Sequence, residues 1–183
     1  MTKMRVAVAI PCFKVTRHVM AVLDAIPVSV DRVDAVDDAC PDGSGAFIKA
    51  HCIEPRVQVI FHDENQGVGG AIATAYRQAI KDDVDIVVKI DGDGQMDPRL
   101  LPFFVRPIML GLADYTKGNR FFRPESVVGM PFGRLFGNEA LSLLTKLICV
   151  YWRILDPTTG YTAIHISALR ELPLEKIEKR YFF

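Results

Sequence analysis

The chain has 183 residues, half of them apolar, which is enough to bury a substantial core and excludes a disordered polypeptide. Its 22 basic residues balance 22 acidic ones with no basic block, which gives no electrostatic case for nucleic acid or another polyanion as a partner, so any ligand must be recognised locally. Cys12, Cys40, Cys52 and Cys149 lack the paired spacing of zinc or redox sites, and no leader with a cleavage signature opens the chain, so the expected setting is a reducing cytosol with buried or half-buried thiols.

Arg5 to Ile10 is a short apolar run closed by Pro11. It predicts a central parallel strand whose carboxyl end carries Pro11, Cys12 and Phe13. A helix follows from His18 to Ile26, with apolar residues at helical spacing and Pro27 as its stop. Val33 to Val36 predicts a second strand, followed by a turn rich in acid and glycine, Asp37 to Gly45. There Asp37 or Asp38 suits a nucleobase N–H or ribose hydroxyl, and Asp42 suits the cap of a helix starting near Ala46.

Val57 to Phe61 alternates as a third strand, and His62 reads as a loop residue. Gly67, Gly69 and Gly70 open a helix that runs to about Ile80, with Val68, Ile72, Ala75, Tyr76, Ala79 and Ile80 on one face. The glycines permit close backbone approach at the helix start, where a phosphate is one occupant. They lack the third spaced glycine and the later ribose acid of a dinucleotide fingerprint, which disfavours a Rossmann dehydrogenase.

Ile86, Val87, Val88 and Ile90 form a fourth buried strand that ends abruptly in Asp91, Gly92, Asp93, Gly94 and Gln95. On an extended backbone, residues two apart project to one side, so Asp91, Asp93 and Gln95 can converge on Mg²⁺ or Mn²⁺, which prefer oxygen ligands. Acid and glycine are equally the residues of a solvated turn, and the acid pair alone leaves both readings open.

A helix interrupted by prolines is predicted from Arg99 to Leu110, then a strand from Asp114 ending in a Gly-Asn-Arg corner at Arg120. Arg120 suits a bidentate contact with phosphate or a surface salt bridge. Phe121 to Phe132 is aperiodic and reads as a flap, with Arg134 following it. Gly137 to Leu155 predicts a long helix, too interrupted by Lys146 and Arg153 to span a membrane and read as an amphipathic core helix, with contact to a membrane surface as the further reading. Asp156 opens a tight turn where it either contacts an acceptor or ends the helix, and Thr162 to Ile166 is a last strand in which His165 reads as structural. The alternation of strands and helices through Leu110 predicts an α/β fold with a mainly parallel sheet covered on both faces.

Taken in order, these stretches resemble the family 2 inverting glycosyltransferases with the GT-A nucleotide-diphospho-sugar transferase fold. The resemblance rests on Val8-Ala-Ile-Pro-Cys-Phe13, Val36-Asp-Asp-Ala-Cys-Pro-Asp-Gly-Ser44, Asn65-Gln-Gly-Val-Gly-Gly-Ala71 and the Asp-x-Asp motif Asp91-Gly-Asp93. Within the family the chain is most similar to the polyprenyl-phosphate sugar synthases, through Asp91-Gly-Asp-Gly-Gln95, Gly118-Asn-Arg120, Arg134 and Asp156-Pro-Thr-Thr-Gly-Tyr161. It covers essentially all of residues 1–183 as one catalytic domain. Such domains usually continue past Arg180-Tyr-Phe-Phe183 through another strand and helix, which implies a truncated C-terminal end.

The resemblance implies a metal-dependent transferase moving a sugar from a GDP- or UDP-sugar to a lipid phosphate, at the cytoplasmic face of a membrane. It implies that Asp91, Asp93 and Gln95 hold Mg²⁺ or Mn²⁺, that Pro11, Phe13, Asp37, Asp38 and Gly67 hold the donor, and that Arg120 and Arg134 balance phosphate charge. Asp156 is the candidate base if the acceptor is a hydroxyl. Cys12 and Phe13 stand where relatives have a small residue and a tyrosine, which keeps a stacking ring and loses a hydroxyl. A glycan-extending transferase, or a nucleotide-sugar binding module without catalysis, are the competing expectations. A nucleotidyltransferase is disfavoured, because its glycine-rich basic signature is absent after Ile10.

Overall fold

A computed structural model describes residues 4–118 and 159–180. The chain divides into two compact units, Met1–Thr116 with Tyr161–Phe182, and Lys117–Gly160 with Phe183. The elements of the first unit are β1 (Val6–Cys12), α1 (Val19–Asp24), β2 (Arg32–Asp37), α2 (Ser44–His51), β3 (Val57–Phe61), α3 (Gly67–Lys81), β4 (Ile86–Lys89), α4 (Leu101–Met109), β5 (Tyr115–Lys117, which runs to the unit's boundary), β6 (Thr162–His165) and α5 (Ile166–Glu171).

The strands form one six-stranded sheet in the order β3-β2-β1-β4-β6-β5. β1 lies between β2 and β4, parallel to both, and β3 extends the parallel set beyond β2. β6 runs antiparallel to β4, pairing Lys89 with Thr162. Because the chain winds outward from β1 in both directions, the carboxyl ends of β1 and β4 border the crevice where open α/β sheets take their ligands.

The alternation in β1 sorts its side chains onto two cores. Val6, Val8 and Ile10 face one side, packed with Val19 and Val22 of α1, Ile48 of α2 and Leu101, Val105 and Ile108 of α4. Ala7 and Ala9 face the other, against Ala71, Ile72, Ala75, Tyr76 and Ala79 of α3 and Leu169 of α5. Small residues on both partners allow α3 to lie close to the sheet, which brings its glycine-rich start near the strand ends.

Three expectations change in detail. β1 continues through Pro11 and Cys12, because a proline needs no ladder donor at that position. α2 begins at Ser44 rather than Ala46, with Gly43 in the left-handed region at φ 62° and no cap from Asp42. The free N–H of Gly45 is instead bound by Asp37 Oδ2, from the end of β2. His165 caps α5, its ring nitrogen accepting from Ser167 N–H at 3.3 Å. Among the described residues no helix is long and apolar enough to cross a membrane. The flap and long helix expected over 121–132 and 137–155 lie outside the described residues.

Candidate functional site

Four strand ends converge on one cavity of about 560 Å³, within the range of small-ligand sites. Pro11 and Phe13 reach it from β1, Asp38 from β2, Asn65 and Gly67 from the β3–α3 connection, and Asp91 and Asp93 from β4. Phe13 is 43% exposed although apolar, as a ring available for stacking must be.

Asp37 is not a lining residue. It is buried beneath the site, where Oδ1 accepts the Cys40 N–H at 2.7 Å and Oδ2 that of Gly45, so it ties the loop after β2 to α2. Asp38 does line the cavity, and its carboxylate also organises the start of α3. Oδ1 accepts from Gln66 N–H at 2.9 Å and from the His62 ring at 2.7 Å, while Oδ2 accepts from Gly67 N–H at 2.7 Å. Each carboxylate oxygen offers about two lone pairs, so one acceptor site remains on Oδ2 for a ligand donor. His62 is no simple loop residue: its side chain is buried, and its other ring nitrogen meets Thr74 Oγ1 at 2.9 Å. Asp38 and His62 are far apart in sequence, and no spacing signals the contact.

The glycines at the start of α3 do admit a close neighbour, but the neighbour is protein. Lys179 O accepts from Gly69 N–H at 2.7 Å and Gly70 N–H at 3.2 Å. With Gly67 N–H taken by Asp38 and Asn65, those amides are engaged within the chain. The expected phosphate place is filled by backbone carbonyl.

At the end of β4, Lys89 is 2% exposed, and its Nζ lies 2.7 Å from Asp91 Oδ1. The pair follows from strand geometry, since residues two apart face the same side, although Lys89 stands within an otherwise apolar run. Asp93 sits in a turn and accepts the Gln95 N–H at 3.0 Å. Gly94 at φ 81° continues that turn, so the extended alternation that would align Gln95 with the acids stops at Asp91. Gln95 does not line the cavity. Among the described residues there is no cluster of three acidic, histidine or cysteine side chains able to hold a metal alone. Two carboxylates at one cavity edge do fit a hard cation whose remaining ligands are substrate phosphate and water. Arg120, Arg134 and Asp156 lie outside the described residues.

Two thiols differ in chemistry. Burial, then the Asp37 charge, pushes the Cys12 thiol far above the ordinary cysteine value. Burial also opposes ionisation of Cys40, but hydrogen bonds with Ser44 Oγ at 3.2 Å and Lys14 N–H at 3.0 Å outweigh it and hold the thiol low. Iodoacetamide is expected to modify Cys40 from a lower pH than an ordinary cysteine and to spare Cys12 until unfolding, as peptide mass spectrometry across a pH series would show.

Comparison with known proteins bears on the family and the fold. Residues 8–173 match Glycosyl transferase family 2. The chain is 35% identical over 126 residues to UDP-N-acetylglucosamine--dolichyl-phosphate N-acetylglucosaminyltransferase from Methanococcus voltae, covering 69% of this chain and 50% of that protein. It is 31% identical over 182 residues to undecaprenyl-phosphate mannosyltransferase from Micrococcus luteus, covering 97% and 73% respectively. The chain thus spans half the length of the first relative and about three quarters of the second. Glucosyl-3-phosphoglycerate synthase from Mycobacterium tuberculosis, solved with Mn²⁺ and uridine-diphosphate-glucose, shares the fold at a TM-score of 0.70 and 22% identity, over 92% of this chain and 58% of that one. The ordered strand-end motifs, the sheet with its crevice and the match across residues 8–173 lead to one conclusion: the chain belongs to glycosyl transferase family 2.

Proposed function

We propose that the chain is the catalytic domain of a metal-dependent inverting glycosyltransferase that moves a sugar from a nucleotide diphospho-sugar to a polyprenyl phosphate. The observation that carries the reading is the single cavity joining Phe13 and Asp38 to Asp91 and Asp93. One end offers a ring and a carboxylate to a nucleoside, and the other offers two carboxylates to a cation on its diphosphate. The lipid-phosphate acceptors named for the two relatives support the acceptor class.

Asp91 and Asp93 would hold Mg²⁺ or Mn²⁺, which supplies Lewis-acid stabilisation to the departing nucleoside diphosphate. Lys89 neutralises one oxygen of Asp91, which leaves the other and the Asp93 carboxylate toward the cavity. In transfer, an acceptor phosphate oxygen forms a bond to the anomeric carbon as the bond to the diphosphate oxygen breaks, and the electron pair leaves with the nucleoside diphosphate. An acceptor phosphate is already anionic near neutral pH, so no residue need remove a proton. Arg120 and Arg134 balance phosphate charge on donor and acceptor in this reading, and Asp156 contacts the acceptor. The reaction takes place at the cytoplasmic face of a membrane, where a lipid acceptor is presented.

The test is a screen of UDP- and GDP-sugars with Mn²⁺ or Mg²⁺ and either undecaprenyl or dolichyl phosphate, followed by extraction of the lipid. Sugar in the lipid fraction is expected with one donor. Transfer only to a free saccharide would replace the lipid acceptor with a glycan, and nucleotide binding without turnover would remove catalysis.

A further inference from the structure

The carbonyl at the start of α3 belongs to a segment, residues 178–180, that lies far downstream in sequence and docks backbone to backbone. A Cβ on Gly69 would stand 1.9 Å from Glu178 O, and one on Gly67 would stand 2.4 Å from Lys179 O and 2.9 Å from Arg180 Cα. Any other residue at either position would push the segment away, so these glycines form a socket for the chain itself. The segment is braced internally by Glu178 Oε1, which accepts the Arg180 N–H at 3.1 Å.

The docking has a consequence for charge. Arg180 becomes a lining residue of the cavity, together with Asp38, Asn65, Asp91 and Asp93. Among the described residues that line it, Arg180 is the one cation beside three carboxylates. Its guanidinium makes no ion pair among the described residues, whereas Asp38 and Asp91 each have partners. A planar fork of donors at the edge of an acid-lined cavity matches a phosphate geometrically and offsets the repulsion that a diphosphate would meet there.

We infer that Arg180 binds the diphosphate of the donor and that the 178–180 strap, seated on Gly67 and Gly69, carries it there. The inference rests on the nucleotide-sugar reading of the cavity. It adds a specificity element to that site, because the strap favours nucleotides over nucleosides without touching the base.

Binding of UDP and GDP, and of uridine and guanosine, to the full chain with Mn²⁺ present tests the inference by calorimetry. Arg180→Ala is expected to weaken the preferred nucleoside diphosphate by roughly 10- to 100-fold, the range for a lost charge-assisted contact, and to leave its nucleoside within about twofold. Arg180→Lys should recover part of the loss, as a point charge without the fork. Gly69→Ala should match Arg180→Ala, and the double variant should be no weaker than either alone, because both remove the same guanidinium. If Gly69→Ala does not fold, the exposed Arg180 variants decide alone. Unchanged diphosphate affinity in Arg180→Ala, or equal loss of nucleoside and diphosphate, overturns the assignment while wild-type binding keeps the nucleotide reading. A wild-type chain that binds no nucleoside diphosphate overturns both.

Discussion

Replacement of Asp93 by asparagine is expected to lower sugar transfer by about a thousandfold, the scale for removing one electrostatic stabiliser of a leaving anion, and to weaken Mn²⁺ binding in parallel. Asparagine is the informative substitution because Asp93 has two candidate jobs. Its Oδ1 accepts the Gln95 N–H within a turn, and an asparagine oxygen can keep that bond. The negative charge at the cavity edge cannot be kept. If the turn is the residue's purpose, the asparagine variant retains activity and alanine alone damages the enzyme. If cation binding is the purpose, both variants fail alike, and alanine costs only about 1 kcal/mol more in stability. Mn²⁺ binding followed by electron paramagnetic resonance, alongside transfer and thermal melts, separates the two. Retained metal affinity in the asparagine variant would sink the metal assignment.

Sequence is most informative where one periodicity rules a whole element. β3 occupies the predicted Val57–Phe61, and α3 buries Ile72, Ala75, Tyr76 and Ala79 of its predicted face. Boundaries move where a distant group intervenes. α2 starts earlier than expected because Asp37, eight residues before Gly45, supplies the missing acceptor. The antiparallel direction of β6 has no local signature, because a short apolar strand reads the same from either end.

The site divides along the same line. Pro11, Phe13, Asp38, Asp91 and Asp93 are legible because each lies at or just beyond a strand end, and Gly67 because it opens the helix that follows β3, and the fold gathers these ends. The Asp38–His62–Thr74 contacts and Arg180 are not, since they depend on which segments meet in space. The glycines announce a close approach without saying of what. Lys89 is a different case: a lysine within an apolar run, two residues before an acid, already carries the signal of a buried pair.

That pair makes Asp91 and Asp93 unequal, and Asp91→Ala is expected to damage the fold where Asp93→Ala does not. Removal of the Asp91 carboxylate leaves the Lys89 ammonium, 2% exposed, without its partner. An orphaned buried charge costs about 3 kcal/mol, and the lysine side, not the partly exposed acid, sets that cost. In a domain of this size the melting temperature should fall by roughly 10 °C. Lys89→Met takes away the charge while keeping an unbranched side chain of similar bulk, so it should be near neutral in stability. It also frees Asp91 of its internal cation, so Mn²⁺ should bind about threefold more tightly or better. The double variant then distinguishes the two roles of Asp91. With neither charge present, the melting temperature should return close to that of wild type, a coupling of about 2–3 kcal/mol, while transfer stays lost. If Asp91→Ala melts like wild type, the ion pair contributes nothing to the end of β4. If the double variant recovers stability and not transfer, the lysine holds the acid in place, and the acid does the work at the cavity.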